Sequence, residues 1–444
     1  MKRLLSIILI LFLSALNANA KSLNKNIQEI IRDSGIPKES ISISVKNLNN
    51  GKNVFSMNEY RLMPPASVQK ILTIIPIIET LGDDYEFKTE LYSRGKDVYL
   101  IKLGADPYLT SDDLKTLTEK INAEKVQKIY IDNSIIEQKA WGEGWQWDDD
   151  LNTALPRFNA YNLDGNLTKI TIMPTDKNKQ AFIINPQKSP MIFYNNVITG
   201  DKNDVNISRD NLVSPEVLKL EGTVQKPETH YITNTNLKRY FEKKLTDTLE
   251  DRRIYLKSAY SVSQKAQSDK FANKVTHSIN KAVEDVLLNS NNMVIEIMAK
   301  LAGGKYYNKQ GTDIDGINLF KEYCLKNEID TSQIRIADAS GVSKNNLVNA
   351  DFISEYLVKN KNNKIYEYMA SPSQGTLSNR MIPLKDNLKA KTGTLSDIST
   401  IAGFLSSKCG QKYAFAIMIN DPKSSNLQKK NLENYLIREM YLKL

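Results

Sequence analysis

The 444-residue chain has few of the residues that bind metals or staple small folds: two cysteines, Cys324 and Cys409, and two histidines, His230 and His277. Neither pair has the spacing of a metal-ligand motif, which argues against a zinc peptidase, and no metal or other cofactor is expected. An oxidising compartment would permit a Cys324–Cys409 bridge, and two buried thiols fit the sequence about equally well. There is no Gly-x-Ser-x-Gly elbow, which disfavours a Ser-His-Asp hydrolase. The formal net charge is +9, yet no dense Lys/Arg cluster with interleaved aromatics appears, so nucleic acid is not expected as a partner. A basic surface suits an anionic wall or membrane face, but a chain this rich in Lys, Asn and Ile becomes basic without one.

Long apolar runs are also missing. The run over residues 4–13 falls short of the roughly 20 residues that a membrane helix needs. It follows Lys2 and Arg3 and precedes Ala18-Asn19-Ala20, the layout of an export signal cleaved after Ala20. Residues 1–20 are therefore read as a signal peptide. The mature protein is expected in the periplasm or cell envelope, with peripheral contact to membrane or wall left open.

A mature chain of this length exceeds one core, so two or three domains are expected. Ile27, Ile30 and Ile31 share one helical face, and Ile41-Ser42-Ile43-Ser44-Val45 alternates as a strand does. Asn49-Asn50-Gly51 then turns the chain into a second strand at 54–57. Residues 401–405 and 413–419 read as strands, and Leu427, Leu432, Tyr435, Leu436, Met440 and Tyr441 recur at helical spacing. Helices and strands from both chain ends would build one sheet flanked by helices. Between about 88 and 261, short strand-like pieces recur at 98–103, 128–131, 170–173 and 181–184 among polar turns. The expected organisation is α+β: residues 21–87 and 262–444 form one domain with an antiparallel sheet flanked by helices. Residues 88–261 form a β-rich insert, itself two small domains with the nested one at about 165–233.

Three short motifs carry the chemistry. Ser67-Val68-Gln69-Lys70 opens an apolar helical run that holds Ile71, Leu72, Ile75, Ile78 and Leu81, with Gly82 as its stop. One helical turn is 3.6 residues, so Ser67 and Lys70 project from one face near a helix N-terminus, where free N–H groups favour an alkoxide and an oxyanion. Lysine acts as a base only if its surroundings lower an ordinary pKa of about 10.4. Lys391, in Lys391-Thr392-Gly393-Thr394, is a candidate for the second cation that does so. Its Gly393 lets a substrate backbone approach, and the lysine and two hydroxyls offer donors to a carboxylate. Ser290-Asn291-Asn292 lies between two helical segments. There a serine can relay a proton to a leaving amine, and an amide can hold both the lysine and a substrate carbonyl. Each motif has look-alikes, such as Ser93 to Lys96 or Ser343 to Asn345. Order and setting are what raise the three above accident.

With these motifs in place, the chain resembles the class C penicillin-binding proteins of the D-alanyl-D-alanine carboxypeptidase/endopeptidase type over nearly its whole mature length. Gly104-Ala105-Asp106-Pro107, Gly144-Trp145-Gln146-Trp147-Asp148-Asp149, Asp338-Ala339-Ser340-Gly341-Val342-Ser343 and Gly375-Thr376-Leu377 are similar to further blocks of that family. The resemblance implies the penicillin-binding fold, with two domains inserted between Ser67 and Ser290. It also implies a serine hydrolase acting on peptidoglycan stem peptides or cross-links, covalently inhibited by β-lactams. By resemblance Ser67 is the nucleophile, Lys70 its base and Ser290 a helper. Asn292, Lys391, Thr392, Gly393 and Thr394 bind substrate, with the N–H groups of Ser67 and Thr394 as oxyanion hole. Asp149 would meet the ammonium of a diaminopimelic acid side chain and Lys344 its carboxylate. The chain departs from the family in carrying Lys344 where arginine is frequent, and Ser371-Pro372-Ser373-Gln374 before Gly375. Both departures bear on side-chain selectivity. A β-lactamase would need Glu-x-x-Leu-Asn after the second motif, whereas Asp148 to Leu151-Asn152 precedes it. A non-catalytic wall-binding or sensor protein would be expected to lose the serine or the lysine, and both are present.

Overall fold

Near the N-terminal end, Ile41–Asn47 pairs antiparallel with Asn53–Met57, and Gly51 supplies the left-handed φ of 70° in the connecting turn. The structure, a computed structural model, describes residues 23–210 and 213–444; the signal-peptide reading of residues 1–20 lies outside the described residues. Two compact units divide the chain. One comprises Met1–Glu79, Ala282–Asn291 and Ile317–Leu444, the other Thr80–Lys281 and Asn292–Gly316.

The first unit is built on a five-stranded antiparallel sheet in the order Leu388–Thr394, Ile398–Ser406, Lys412–Asn420, Ile41–Asn47, Asn53–Met57. A helical stretch over 23–34 and the helix Asn426–Lys443 bury Ile27, Ile31, Leu432, Leu436 and Met440 in one cluster with Ile43, Val45, Phe415 and Ile417 of the sheet. The helix Ala350–Lys359 packs against the strands Ile41–Asn47 and Lys412–Asn420 and buries Ser44 of the former. Ser44 Oγ lies 2.8 Å from Ser354 Oγ and 3.4 Å from Asp351 Oδ1. The Ile-Ser alternation therefore marks two buried faces rather than one buried and one wet, and burial along Ile41–Val45 is continuous. Within this unit the helix Asn426–Lys443 also buries Glu433, which accepts from Arg380 at 2.7 Å and from Ser399 at 2.7 Å. Cys324 is buried and Cys409 exposed, and both are free thiols, so no bridge joins them.

The second unit holds a five-stranded mixed sheet ordered Ser261–Val262, Lys128–Asp132, Val98–Lys102, Glu86–Gly95, Lys270–Ser278. It also holds two three-stranded sheets, Asp204–Arg209/Val217–Val224/Ile192–Thr199 and Glu228–Thr233/Leu167–Met173/Phe182–Ile184. These share a small core of Ile170, Ile172, Val197, Leu218, Leu220 and Ile232. Two helices, at positions where the sequence suggested only polar turns, lie among these strands. Ser111–Thr118 is closed by a Thr110/Asp113 capping box, and Leu237–Asp251 buries Leu237, Tyr240, Phe241, Leu245 and Leu249 at helical spacing.

Candidate active site

Ser67 does not stand in the first turn of an α-helix. It lies in a 3-10 turn, Ala66–Gln69, that feeds the α-helix Lys70–Leu81, which ends at Gly82 with φ 95°. In a 3-10 turn residues three apart eclipse each other, so the tighter winding brings serine and lysine into register better than an α-turn would. Lys70 Nζ donates to Ser67 Oγ at 2.8 Å and to the Ser340 carbonyl at 2.8 Å. Lys70 is fully buried and Ser67 half-exposed, so the amine is shielded while the hydroxyl is open to a reactant. Ala66 carries a left-handed φ of 47°, a strained value for a residue with a Cβ, directly before the serine.

That strain is held by packing from two sides. On one side, Gln69 donates to the Asp338 carbonyl and, at 3.0 Å, to Asn346 Oδ1, while Thr73 donates to the Ala339 carbonyl at 2.8 Å. The buried Asp338 carboxylate in turn accepts the N–H groups of Gly341 at 2.7 Å and Ser343 at 2.8 Å, and the Asn346 amide at 2.8 Å. Gly341 adopts φ 84°, and a Cβ there would collide with the Ala66 carbonyl oxygen. On the other side, Thr400 Oγ1 donates to the Pro65 carbonyl at 2.7 Å. A Cβ on Gly393 would lie 2.7 Å from the Ser67 nitrogen, so the edge strand Leu388–Thr394 presses its backbone against the serine turn. This strand pairs on one side only with Ile398–Ser406, apart from a single bridge between Ala390 and Ala370, and ends the sheet. An extended peptide could add to such an edge as a further strand.

Lys391 projects from this strand and is fully buried. Its Nζ donates to the Thr392 carbonyl at 3.0 Å, and among the described residues no carboxylate pairs with it. Burial, and next the charge of Lys70, hold its ammonium well below the ordinary lysine range. A buried cation without a counter-charge is costly, and an incoming carboxylate would relieve it. The Coulomb repulsion between the two lysines acts on both, so the pair resists holding two protons.

Ser67, Lys70, Lys391, Thr392, Gly393 and Thr394 thus come together in the first unit, Thr392 buried and Thr394 exposed. Ser290 lies in the same unit, half-buried, at φ 67° in the link between Ile279–Leu288 and Asn292–Tyr307. Asp285 clamps that link through Asn289 at 3.1 Å and Asn291 at 2.8 Å, and no hydrogen bond joins Ser290 to Lys70 or Ser67 among the described residues. Lys344 is exposed at the loop after Thr394, 3.3 Å from Ser396 Oγ and 3.8 Å from Asp397. Asn292 and Asp149 belong to the second unit: Asn292 opens a helix and donates to the Ala154 carbonyl at 3.0 Å, and Asp149 ends the 3-10 turn Trp147–Asp149. Sequence reading did not assign the Ser340 carbonyl that accepts from Lys70, because a backbone acceptor leaves no mark in residue type. The only signal was the Asp338-to-Ser343 block around it.

An α+β unit that sets a serine and a buried lysine against the edge of an antiparallel sheet has the layout of the penicillin-recognising serine enzymes. The chain belongs to the D-Ala-D-Ala carboxypeptidase 3 (S13) family, whose model matches residues 23–438, and it is accordingly a hydrolase of that class. A D-alanyl-D-alanine carboxypeptidase of Haemophilus influenzae is 24% identical over 94% of this chain and 94% of its own, and one from Actinomadura sp. is 23% identical over 91% and 82%. The crystal structure of penicillin binding protein 4 from Haemophilus influenzae matches with a TM-score of 0.83 at 23% identity, covering 94% of this chain and 99% of that one. A predatory peptidoglycan endopeptidase from Bdellovibrio bacteriovorus follows at 0.51 and 17%, covering 90% and 92%. The fold is therefore the α+β penicillin-binding fold.

Proposed function

We propose that Ser67 is the nucleophile and Lys70 its general base in cleavage of D-alanyl-D-alanine ends or cross-links of peptidoglycan stem peptides. The observation that carries this is the 2.8 Å contact from Lys70 Nζ to Ser67 Oγ, beside a second buried lysine with no carboxylate partner among the described residues. A neutral Lys70 takes the Ser67 proton as Oγ bonds to the carbonyl carbon of the penultimate D-alanine. The N–H groups of Ser67 and Thr394 receive the oxyanion. The C–N bond then breaks, and the leaving amine takes the proton, relayed by Ser290. Water next adds to the ester and the bond to Oγ breaks, returning a proton to Ser67. Lys391, with Thr392 and Thr394, holds the terminal carboxylate, whose charge restores the Lys391 proton without burdening Lys70. Lys344, exposed near Ser396 and Asp397 in the same unit, selects the stem-peptide side chain.

Because a β-lactam presents the same carbonyl and carboxylate, it would acylate Ser67 and stay. The crystal structure of the Haemophilus influenzae protein with a β-lactam supports this for a protein of the same fold. Export to the cell envelope follows from the substrate. Digestion of purified muropeptides, resolved by chromatography, tests the proposal. Wild type should release D-alanine from pentapeptides or split cross-linked dimers, and Ser67→Ala should do neither. Cleavage by Ser67→Ala at the wild-type rate would overturn it.

A further inference from the structure

The second unit carries an open cleft of about 640 Å³, lined by Trp147, Tyr194, Asn196, Ser208, Asp210 and Lys219 among others. Its volume lies inside the roughly 300–1,000 Å³ usual for small-ligand sites. The floor is the outer face of one three-stranded sheet. In register, Lys219 sits beside Tyr194 on one side and beside Ser208 on the other, so the three side chains form a row across the strands. The opposite face of the same sheet buries Val197, Leu218 and Leu220, which fixes the platform rigidly. Tyr194 and Trp147 nevertheless stay 63% exposed each. Scattered exposed aromatics are ordinary, but two large exposed rings lining one cleft over a sheet make an aromatic surface open to a ligand.

We infer that this cleft is a binding site for the N-acetylated sugar strand of the substrate, a reading that rests on the proposed peptidoglycan activity. A pyranose ring has an apolar face of C–H groups that lies flat on an aromatic ring, and a rim of hydroxyl and acetamido groups that needs donors and acceptors. Tyr194 and Trp147 supply the first, and Asn196, Ser208, Asp210 and Lys219 supply the second. A membrane surface would want a continuous apolar face with a basic border, whereas here the border mixes amide, hydroxyl, carboxylate and ammonium.

The test uses the full mature chain and chitotetraose, a glycan with no peptide, in calorimetric titration, together with acylation by a fluorescent penicillin. Saturable binding is expected for wild type and for Ser67→Ala, weakened at least about tenfold by Tyr194→Ala and retained by Tyr194→Phe, which keeps the ring. Penicillin acylation should be the same in both Tyr194 variants as in wild type, which also reports that they fold. Absence of saturable binding by wild type, or equal binding by Tyr194→Ala, would overturn the inference while leaving acylation untouched. Loss of acylation in wild type would instead strike the proposed function and leave glycan binding standing.

Discussion

Replacing Gly393 by alanine tests how closely the edge strand must approach the serine turn. The new Cβ would sit 2.7 Å from the Ser67 nitrogen, 2.8 Å from Ala66 Cβ, and closer still to Thr400 Oγ1. Carbon atoms rest at about 3.5 Å or more, so strand and turn must separate by roughly 0.7 Å. Overpacking of this kind costs about 1–3 kcal/mol of stability. The larger effect is on chemistry. A misplacement near 1 Å costs on the order of 100-fold in rate, or about 2.7 kcal/mol of activation free energy. The assay is the second-order rate of acylation by a fluorescent penicillin, with urea unfolding alongside. Gly393→Ala should acylate roughly 100-fold more slowly while remaining folded. The double variant Gly393→Ala/Thr400→Ala removes the Thr400 contact but not those to Ser67 and Ala66, so it should stay slow. Wild-type acylation by the single variant, or full recovery in the double, would refute the claim that this strand sets the position of the nucleophile.

The lysine pair gives the protein a distinctive pH dependence. Lys391 is held below the ordinary lysine range in the folded chain, so between that depressed value and about 10.5 the folded state carries fewer protons than the unfolded one, and stability rises with pH across the window. Lys391→Met should abolish that slope in urea unfolding and, by removing the repulsion, move the acid limb of the acylation profile to higher pH. An unchanged limb would mean that the two charges do not interact. Arg380→Met leaves Glu433 buried without its cation and should cost about 3–5 kcal/mol. Burial already pushes the Glu433 carboxyl up, so a native state that binds its proton more readily is relatively favoured as pH falls, and the loss should be smaller at about pH 5 than at about pH 7.5. Equal losses at both values would contradict the assignment.

The ends of the chain were legible because local signals there agree with the tertiary structure. The turn at Gly51, the strand at 413–419 and the closing helix all form where spacing and turn chemistry place them. Ser67 and Lys70 were legible for the same reason, although the sequence pointed to an α-turn and the chain makes a 3-10 turn held by Asp338 and Gly341. Those supports come from more than 250 residues away along the chain and leave no local pattern at Ser67. The free state of Cys324 and Cys409 was likewise open, since pairing depends on distance in the fold. The helix Leu237–Asp251 was passed over although its apolar residues have helical spacing, because eight of its fifteen residues are charged and interrupt the stripe.

Everything proposed for the site requires that Ser67 reacts. Incubation with penicillin, proteolysis and mass spectrometry test this: one adduct is expected on the peptide containing Ser67 in wild type and none in Ser67→Ala. An adduct on any other residue, or one that persists in Ser67→Ala, would contradict it.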